Sequence, residues 1–216
     1  MNKLFLIPAG ILLLINQACT LPSLSGRSNA DETNVLFSDD FSAASSGWDE
    51  YSDSDGSVAY AGGGYRIQVD STEIMLWGNP AQDFQNDVRI AVDVTQSGGP
   101  DDNAMGIICR YQDVDNFYLF MISSDGYAGI ARYKNNTFSM LSGESMEQSD
   151  AINLGAMTNH VEASCIGNDL TLLVNGTQIA TASDISFSGG DVGLFAKSFS
   201  EGGVDILFDN LVVSKP

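Results

Sequence analysis

The chain has 216 residues, of which 28 are acidic, 9 are basic and 1 is histidine, and its formal net charge is −19. So negative a charge argues against binding to nucleic acid, whose phosphates need clustered lysines and arginines, and against electrostatic docking on anionic lipid. A single histidine excludes metal sites that need two of them, and a hydrophobic fraction of 44% is typical of a folded domain with a substantial core.

The N-terminus has the pattern of an export signal. Lys3 precedes an apolar run over residues 4–15, which has the length of a signal-peptide core and is too short to span a bilayer. A buried first helix is the alternative. We predict a signal peptide over 1–18, a flexible tether over 19–34 and one folded domain over 35–216.

The residues after the apolar run resemble a bacterial lipoprotein signal, with Ala18-Cys19 followed by a polar stretch. The resemblance implies that Cys19 becomes the lipidated first residue. The protein would then lie in the cell envelope, its contact with the membrane limited to this anchor. Ordinary cleavage, which would give a secreted protein, is the alternative, and either route leads to an oxidising compartment.

The rest of the chain has the two-residue alternation of β-strands rather than a helical period. Val88, Ile90, Val92 and Val94 alternate with polar or small residues, as in a half-buried strand. Asn175-Gly176 lies between two apolar runs and predicts a hairpin. More than ten short strands separated by turn residues predict an all-β, antiparallel sandwich or jelly roll. The predicted strands cover 35–41, 65–69, 73–77, 88–95, 103–112, 117–123, 127–133, 158–166, 170–174, 177–182, 192–196 and 204–213.

Two cysteines fall within predicted strands. The alternation places Cys109 on one face with Met105, Ile107 and Tyr111, and Cys165 on an apolar face of its own strand. Two inward cysteines in an exported protein predict a disulfide. Two buried free thiols are the alternative.

The order of several motifs resembles the concanavalin A-like lectin/glucanase superfamily, and more narrowly the laminin-G-like and 3-keto-disaccharide-hydrolase-like (DUF1080) jelly rolls of secreted bacterial proteins. The motifs are FSDDF at 37–41 with GW at 47–48, GIICRY at 106–111, NFYL at 116–119, LTLLVNG at 170–176, GDVGL at 190–194 and FDNL at 208–211. The resemblance implies a jelly-roll fold. It leaves the function open, because this fold carries lectins, hydrolases and adhesion modules.

The motifs of hydrolases are missing from the sequence. The glucanases of the superfamily carry Glu-x-Asp-x-x-Glu or Glu-x-Asp-x-Glu on one strand, and neither spacing occurs here. Glu144 and Glu147 lie in a Ser- and Gly-rich loop, no Gly-x-Ser-x-Gly motif is present, and His160 lies in an alternating strand. We therefore expect no catalysis. A glycan-active hydrolase of the DUF1080 type is the alternative.

A structural calcium ion is a further expectation. Related sandwiches hold calcium between the terminal strands, and oxygen ligands of the kind that calcium prefers occur at both ends of the predicted domain. Asp40 and Asp209 are the predicted ligands, with Asp39 and Asn210 beside them. Ordinary acidic turn residues are the alternative.

A non-catalytic module that binds carbohydrate or another cell-surface ligand remains as the main hypothesis. Sugars are bound by flat aromatic faces together with polar groups that fix their orientation. Arg110 belongs with small Ala104 and Gly106 on the face opposite Cys109, which would leave room for a ligand. The alternatives are that the arginines pair with cross-strand aspartates and the aromatic rings form core, or that the faces meet another protein. The predicted ligand-binding residues are Arg66, Trp77, Arg110, Tyr118, Tyr127 and Arg132.

Overall fold

The computed structural model describes residues 34–85 and 87–216. The predicted signal peptide, lipidation at Cys19 and nearly all of the predicted tether lie outside the described residues.

Sixteen β-strands make up the regular structure of the described residues. They are β1 (Val35–Asp39), β2 (Tyr51–Ser52), β3 (Gly56–Ala61), β4 (Gly64–Val69), β5 (Met75–Gly78), β6 (Val88–Gly98), β7 (Asn103–Asp113), β8 (Asn116–Ile122), β9 (Tyr127–Lys134), β10 (Thr137–Met140), β11 (Glu147–Gln148), β12 (Asn159–Ile166), β13 (Asp169–Val174), β14 (Thr177–Ser183), β15 (Asp191–Ser198) and β16 (Val204–Ser214). None of the described segments is a helix of the length and apolarity that a membrane span requires.

The strands form two sheets in which every pair is antiparallel. The first sheet has the order β14-β13-β12-β6-β16-β4-β3-β2. One edge of β16 is shared, since β4 pairs with its first half and β1 with its second half. The second sheet has the order β10-β9-β8-β7-β15-β5, and β11 pairs with β9. This architecture confirms the predicted all-β antiparallel sandwich.

The core lies between the inner faces of the two sheets. Val88, Ile90, Val92 and Val94 of β6 are buried on one side of the first sheet, as their alternation predicts. The predicted disulfide between Cys109 and Cys165 is confirmed, and because it joins β7 to β12 it links the two sheets across the core.

The predicted hairpin at Asn175-Gly176 is confirmed as the turn between β13 and β14. Both turn residues have positive φ, 52° and 80°, as a two-residue hairpin turn requires. Four strands were missed by the sequence analysis, namely β2, β3, β10 and β11. β2 and β11 have two residues each and β10 has four, which is too short for alternation to be recognised.

Candidate ligand-binding site

The two sheets differ in what their outer faces present to solvent. On the first sheet the outward residues of β6 and β12 include Arg89, Asp93, His160 and Glu162. The outer face of the second sheet is instead apolar, with buried Phe117, Leu119, Met121 and Phe195 forming a second hydrophobic cluster. An antiparallel sheet usually has polar side chains on its solvent face, whereas this cluster is covered by partly buried hydrophobic side chains that include Met140 and Met146.

Five aromatic rings, which we call the aromatic row, lie together on this outer face. They are Trp77 of β5, Tyr111 of β7, Phe117 of β8, Tyr133 of β9 and Phe138 of β10. Phe117 lies at the centre, with its ring centroid 6.1 Å from that of Trp77, 5.7 Å from that of Tyr111 and 5.1 Å from that of Tyr133. The ring of Phe138 is 5.5 Å from that of Tyr133, and Phe138 is 46% exposed. The row therefore runs across the sheet and ends in solvent.

A polar pocket of about 400 Å³ opens at the Tyr111 end of the aromatic row. Its described lining combines the ring of Tyr111 with amide and carboxylate side chains of three chain segments, Gln82, Asp83, Gln85, Gln112 and Asp191. The volume lies within the range of small-molecule sites. Amides and carboxylates can together donate to and accept from a ligand rich in hydroxyl groups.

Backbone contacts bring these segments together. Phe84 and Gly190 form an isolated antiparallel bridge, with N–H···O distances of 3.1 Å in both directions. Asn79, which is buried, donates from Nδ2 to the carbonyl of Val192 at 2.6 Å. A Cβ on Gly190 would lie 2.5 Å from the carbonyl oxygen of Tyr111, and therefore only glycine lets the loop approach β7 so closely.

Asp191 is the most perturbed carboxyl group of the pocket. Burial, together with the charge of Asp49, raises the pKa of Asp191 to about 6, although backbone N–H groups of Val192, Gln82 and Ala81 oppose the rise. Above that pH the carboxylate is an acceptor, and below it the group can also donate a proton in a hydrogen bond. No lysine or arginine occurs among the described residues that line the pocket, so the pocket disfavours an anionic ligand.

Arg110 does not lie where the alternation placed it. It has a φ of +54° at an irregularity in the pairing of β7, and its side chain points inward and is only 2% exposed. Nη1 donates to the carbonyls of Gly167 and Phe187 at 2.9 and 2.8 Å, and Nη2 donates to the carbonyl of Cys165 at 3.2 Å and to Asp87 at 3.0 Å. With both Nη atoms bonded inside the protein and its side chain buried, Arg110 has a structural role in this fold and is unavailable to a ligand.

Tyr118 and Arg132 form a second internal cluster around Asp184. Tyr118 is buried and donates to Asp184 at 2.7 Å, and Arg132 forms an ion pair with the same carboxylate at 2.6 Å. Burial raises the pKa of Tyr118 to about 12. Although burial opposes it, the hydrogen bonds from Tyr118 and Ser186 hold the pKa of Asp184 below its usual value. The cluster ties β8 and β9 to the segment after β14 rather than facing a ligand.

The other three predicted residues lie on three different strands. Arg66 lies on the outer face of the first sheet in a salt bridge with Asp205. Tyr127 is exposed at the start of β9. Trp77, in the aromatic row, is the one of the six that borders the apolar outer face. The structure thus brings three of the six together, since Arg110 and Tyr118 both bond to the backbone of Phe187 and Tyr118 shares Asp184 with Arg132. The polar pocket is formed by other residues.

The predicted calcium ligands lie near the paired terminal strands. A calcium site between the terminal strands requires these strands to be neighbours, and β1 does pair with β16. Asp40 accepts hydrogen bonds from Ser42, and Asp209 accepts one from the backbone of Asn210. No group of three or more acidic, histidine or cysteine side chains in the described part of the chain is arranged to hold a metal ion. Calcium at Asp40 and Asp209 stays a prediction from the sequence.

Comparisons with known proteins show the fold. No protein-family model matches the chain, and no curated protein matches its sequence. Among solved structures, the carbohydrate binding module CBM66 from Bacillus subtilis is similar with a TM-score of 0.63 and 18% identity over 78% of this chain and 96% of that one.

Two further solved structures lead to the same conclusion. A protein of unknown function with a galectin-like fold from Bacillus subtilis has a TM-score of 0.61 at 8% identity, over 84% of this chain and 96% of that one. The GH43 protein BlXynB from Bacillus licheniformis has a TM-score of 0.59 at 15% identity, and the match covers 85% of this chain but 39% of that one. The chain therefore has the β-sandwich fold of galectin-like proteins and carbohydrate-binding modules.

Proposed function

We propose that the protein is a carbohydrate-binding module whose polar pocket takes an uncharged sugar. The observation that carries this proposal is the position of Tyr111, whose ring belongs both to the aromatic row and to the lining of the polar pocket. An aromatic face beside amides and a carboxylate provides the two kinds of contact that sugar recognition needs, apolar stacking and oriented hydrogen bonds.

Two further facts support the proposal. One is the fold likeness to a structure named as a carbohydrate binding module. The other is the absence of cationic side chains from the described lining of the pocket, because a site for uronic acids or sugar phosphates would be expected to offer a lysine or an arginine. Within the concanavalin A-like superfamily, the proposal favours a lectin-like module over an enzyme.

Replacing Tyr111 with alanine is expected to weaken binding of the best glycan about tenfold, or roughly 1.4 kcal/mol, since it removes one aromatic contact. A glycan array identifies the ligand, and isothermal titration calorimetry measures the change. Tyr127→Ala is the matched control, since it removes an exposed tyrosine outside the pocket and should leave the affinity unchanged.

The same experiment separates this proposal from its alternatives. Absence of every glycan signal for the wild-type protein, with the fold intact by circular dichroism, would overturn carbohydrate binding. New reducing ends after incubation with the bound glycan would instead support the hydrolase of the DUF1080 type. Equal losses for the Tyr111 and Tyr127 variants would place the sugar outside the polar pocket.

We further propose that the module is exported and anchored to the cell envelope through a lipid on Cys19, as its leader suggests. Mass spectrometry of the mature protein tests the anchor. A diacylglyceryl-modified Cys19 at the N-terminus is the expected result, and an unmodified N-terminus at another residue would contradict it.

A further inference from the structure

A second cavity lies on the outer face of the second sheet, toward the Phe138 end of the aromatic row. Its volume is about 490 Å³, within the range of small-molecule sites. Four methionines line it, Met75, Met121, Met140 and Met146, and most of the remaining lining is aromatic or aliphatic. Methionine side chains are flexible and polarisable, and they adapt to apolar ligands of irregular shape.

The cavity is formed by the sheet and by the segment between β10 and β11. Leu141 donates its backbone N–H to the carbonyl of Ile130, and Oγ of Ser142 accepts from the N–H of Ile130, so this segment folds back beside β9. A Cβ on Gly129 would lie 2.6 Å from Cε of Met140 and 3.5 Å from Cγ of Met146. The glycine therefore leaves the space in which these methionines form a wall.

One cationic group, Lys197, is part of the lining. It lies on β15 directly opposite Ala104 of β7 and Met75 of β5, and its Nζ is 5.7 Å from the ring centroid of Phe199. The ion pairs of the described residues do not include Lys197, although the chain has 28 acidic residues. Glu144 also lines the cavity but forms no salt bridge with it. The ammonium group is thus left for an anion from outside.

An apolar cavity with one unpaired ammonium group fits one class of ligand. A sugar would bury hydroxyl groups against methionine and phenylalanine without hydrogen-bond partners, which is unfavourable. A wholly apolar ligand would leave the ammonium group unused. A long alkyl chain with an anionic head satisfies both features, because the chain contacts the methionines and the head pairs with Lys197.

We propose that this cavity binds a long-chain alkyl carboxylate, with its chain among the four methionines and its carboxylate at Lys197. The inference is independent of the proposed carbohydrate site, which uses the polar pocket at the other end of the aromatic row. The net charge of the chain repels anions at long range. The binding is therefore measured at about 0.15 M salt, where the Debye length is about 8 Å and local contacts dominate.

The test is a titration of the full protein with hexanoate, octanoate, decanoate and dodecanoate below their micelle concentrations. Each added methylene group is expected to tighten binding by up to about fourfold until the cavity is full. No binding of decanoate or dodecanoate by the wild-type protein would overturn the proposal, and so would an affinity that does not change with chain length.

Substitution of Lys197 distinguishes the contribution of the carboxylate from that of the alkyl chain. Lys197→Gln is expected to weaken decanoate binding about tenfold and to change binding of decanol, which has the same chain without the charge, by less than twofold. Lys134→Gln is the matched control, because that ammonium group bonds to Ser186 outside the cavity. Equal losses of decanoate binding in the two variants would overturn the role of Lys197.

Two further variants test where the alkyl chain of the ligand lies. Ala104→Leu fills the floor of the cavity and should weaken decanoate and decanol alike. Met146→Glu, in the half-exposed wall segment, adds a carboxylate without altering the sheet and should weaken decanoate more than decanol. If thermal unfolding shows that Ala104→Leu is destabilised, Met146→Glu alone serves as the test. Unchanged binding in a folded variant contradicts the assigned cavity, and unchanged glycan binding in all of these variants shows that the two sites are separate.

Discussion

Replacing Arg110 with methionine is expected to lower the free energy of unfolding by about 3–5 kcal/mol. The guanidinium group is 2% exposed and donates to three backbone carbonyls and to Asp87. Methionine fills part of the volume but leaves the three carbonyls without these donors, at about 1 kcal/mol or more for each. Asp87 is 39% exposed and can be solvated, so it adds little.

Arg66→Met is the matched control for Arg110→Met. Arg66 is 42% exposed, whereas its partner Asp205 is 11% exposed, so removal of Arg66 is expected to cost more than the roughly 0–1 kcal/mol of a fully exposed pair but less than removal of the buried Arg110 guanidinium. Urea unfolding of both variants, fitted with one shared m-value, measures the difference in their free energies of unfolding. Equal destabilisation of the two variants would show that burial of the Arg110 guanidinium does not matter. The free energy of unfolding of Arg110→Lys should lie between those of the wild-type protein and Arg110→Met, because one ammonium group cannot reach all four acceptors.

A single irregularity in β7 explains why the alternation placed Arg110 and Tyr111 on faces opposite to those that they occupy. Strict alternation puts Tyr111 on the face of Cys109 and Arg110 on the opposite face. In the structure the strand has a bulge with a positive φ at Arg110, and each residue lies on the other side. Arg110 therefore points into the protein and Tyr111 joins the aromatic row. A bulge without glycine leaves no mark in the residue pattern.

The strands with long alternation were predictable because their side chains meet one core. β6 and β12 are examples, and so is the disulfide, since both cysteines belong to apolar faces. The polar pocket was not predictable. Gln82, Gln112 and Asp191 come from three segments that meet only when β15 pairs with β7 and Phe84 bridges Gly190. Such contacts depend on tertiary structure, which local residue patterns do not encode.

Breaking the Cys109–Cys165 disulfide is expected to lower the free energy of unfolding by about 4 kcal/mol. The bond closes a loop of 56 residues. In the loop-closure model, opening this loop increases the entropy of the unfolded chain, which stabilises the unfolded state by about 4 kcal/mol at 25 °C. Urea unfolding of the wild-type protein with and without reductant measures the effect without changing any other side chain. The Cys109→Ala/Cys165→Ala double variant is the control, since reductant should not alter its stability.

Reduction of this bond should itself require an opening of the structure. Both cysteines are fully buried, so a reductant reaches the sulfur atoms only after β7 separates from β12 at that point. Arg110 donates to the carbonyl of Cys165 and thus holds the same two strands together. Arg110→Met should therefore speed the appearance of free thiols in native buffer, whereas Arg66→Met should not. Equal rates of thiol appearance in Arg110→Met and Arg66→Met would show that Arg110 does not protect the bond. In the unfolding experiment, a change of less than about 1 kcal/mol on adding reductant would contradict the loop-closure argument.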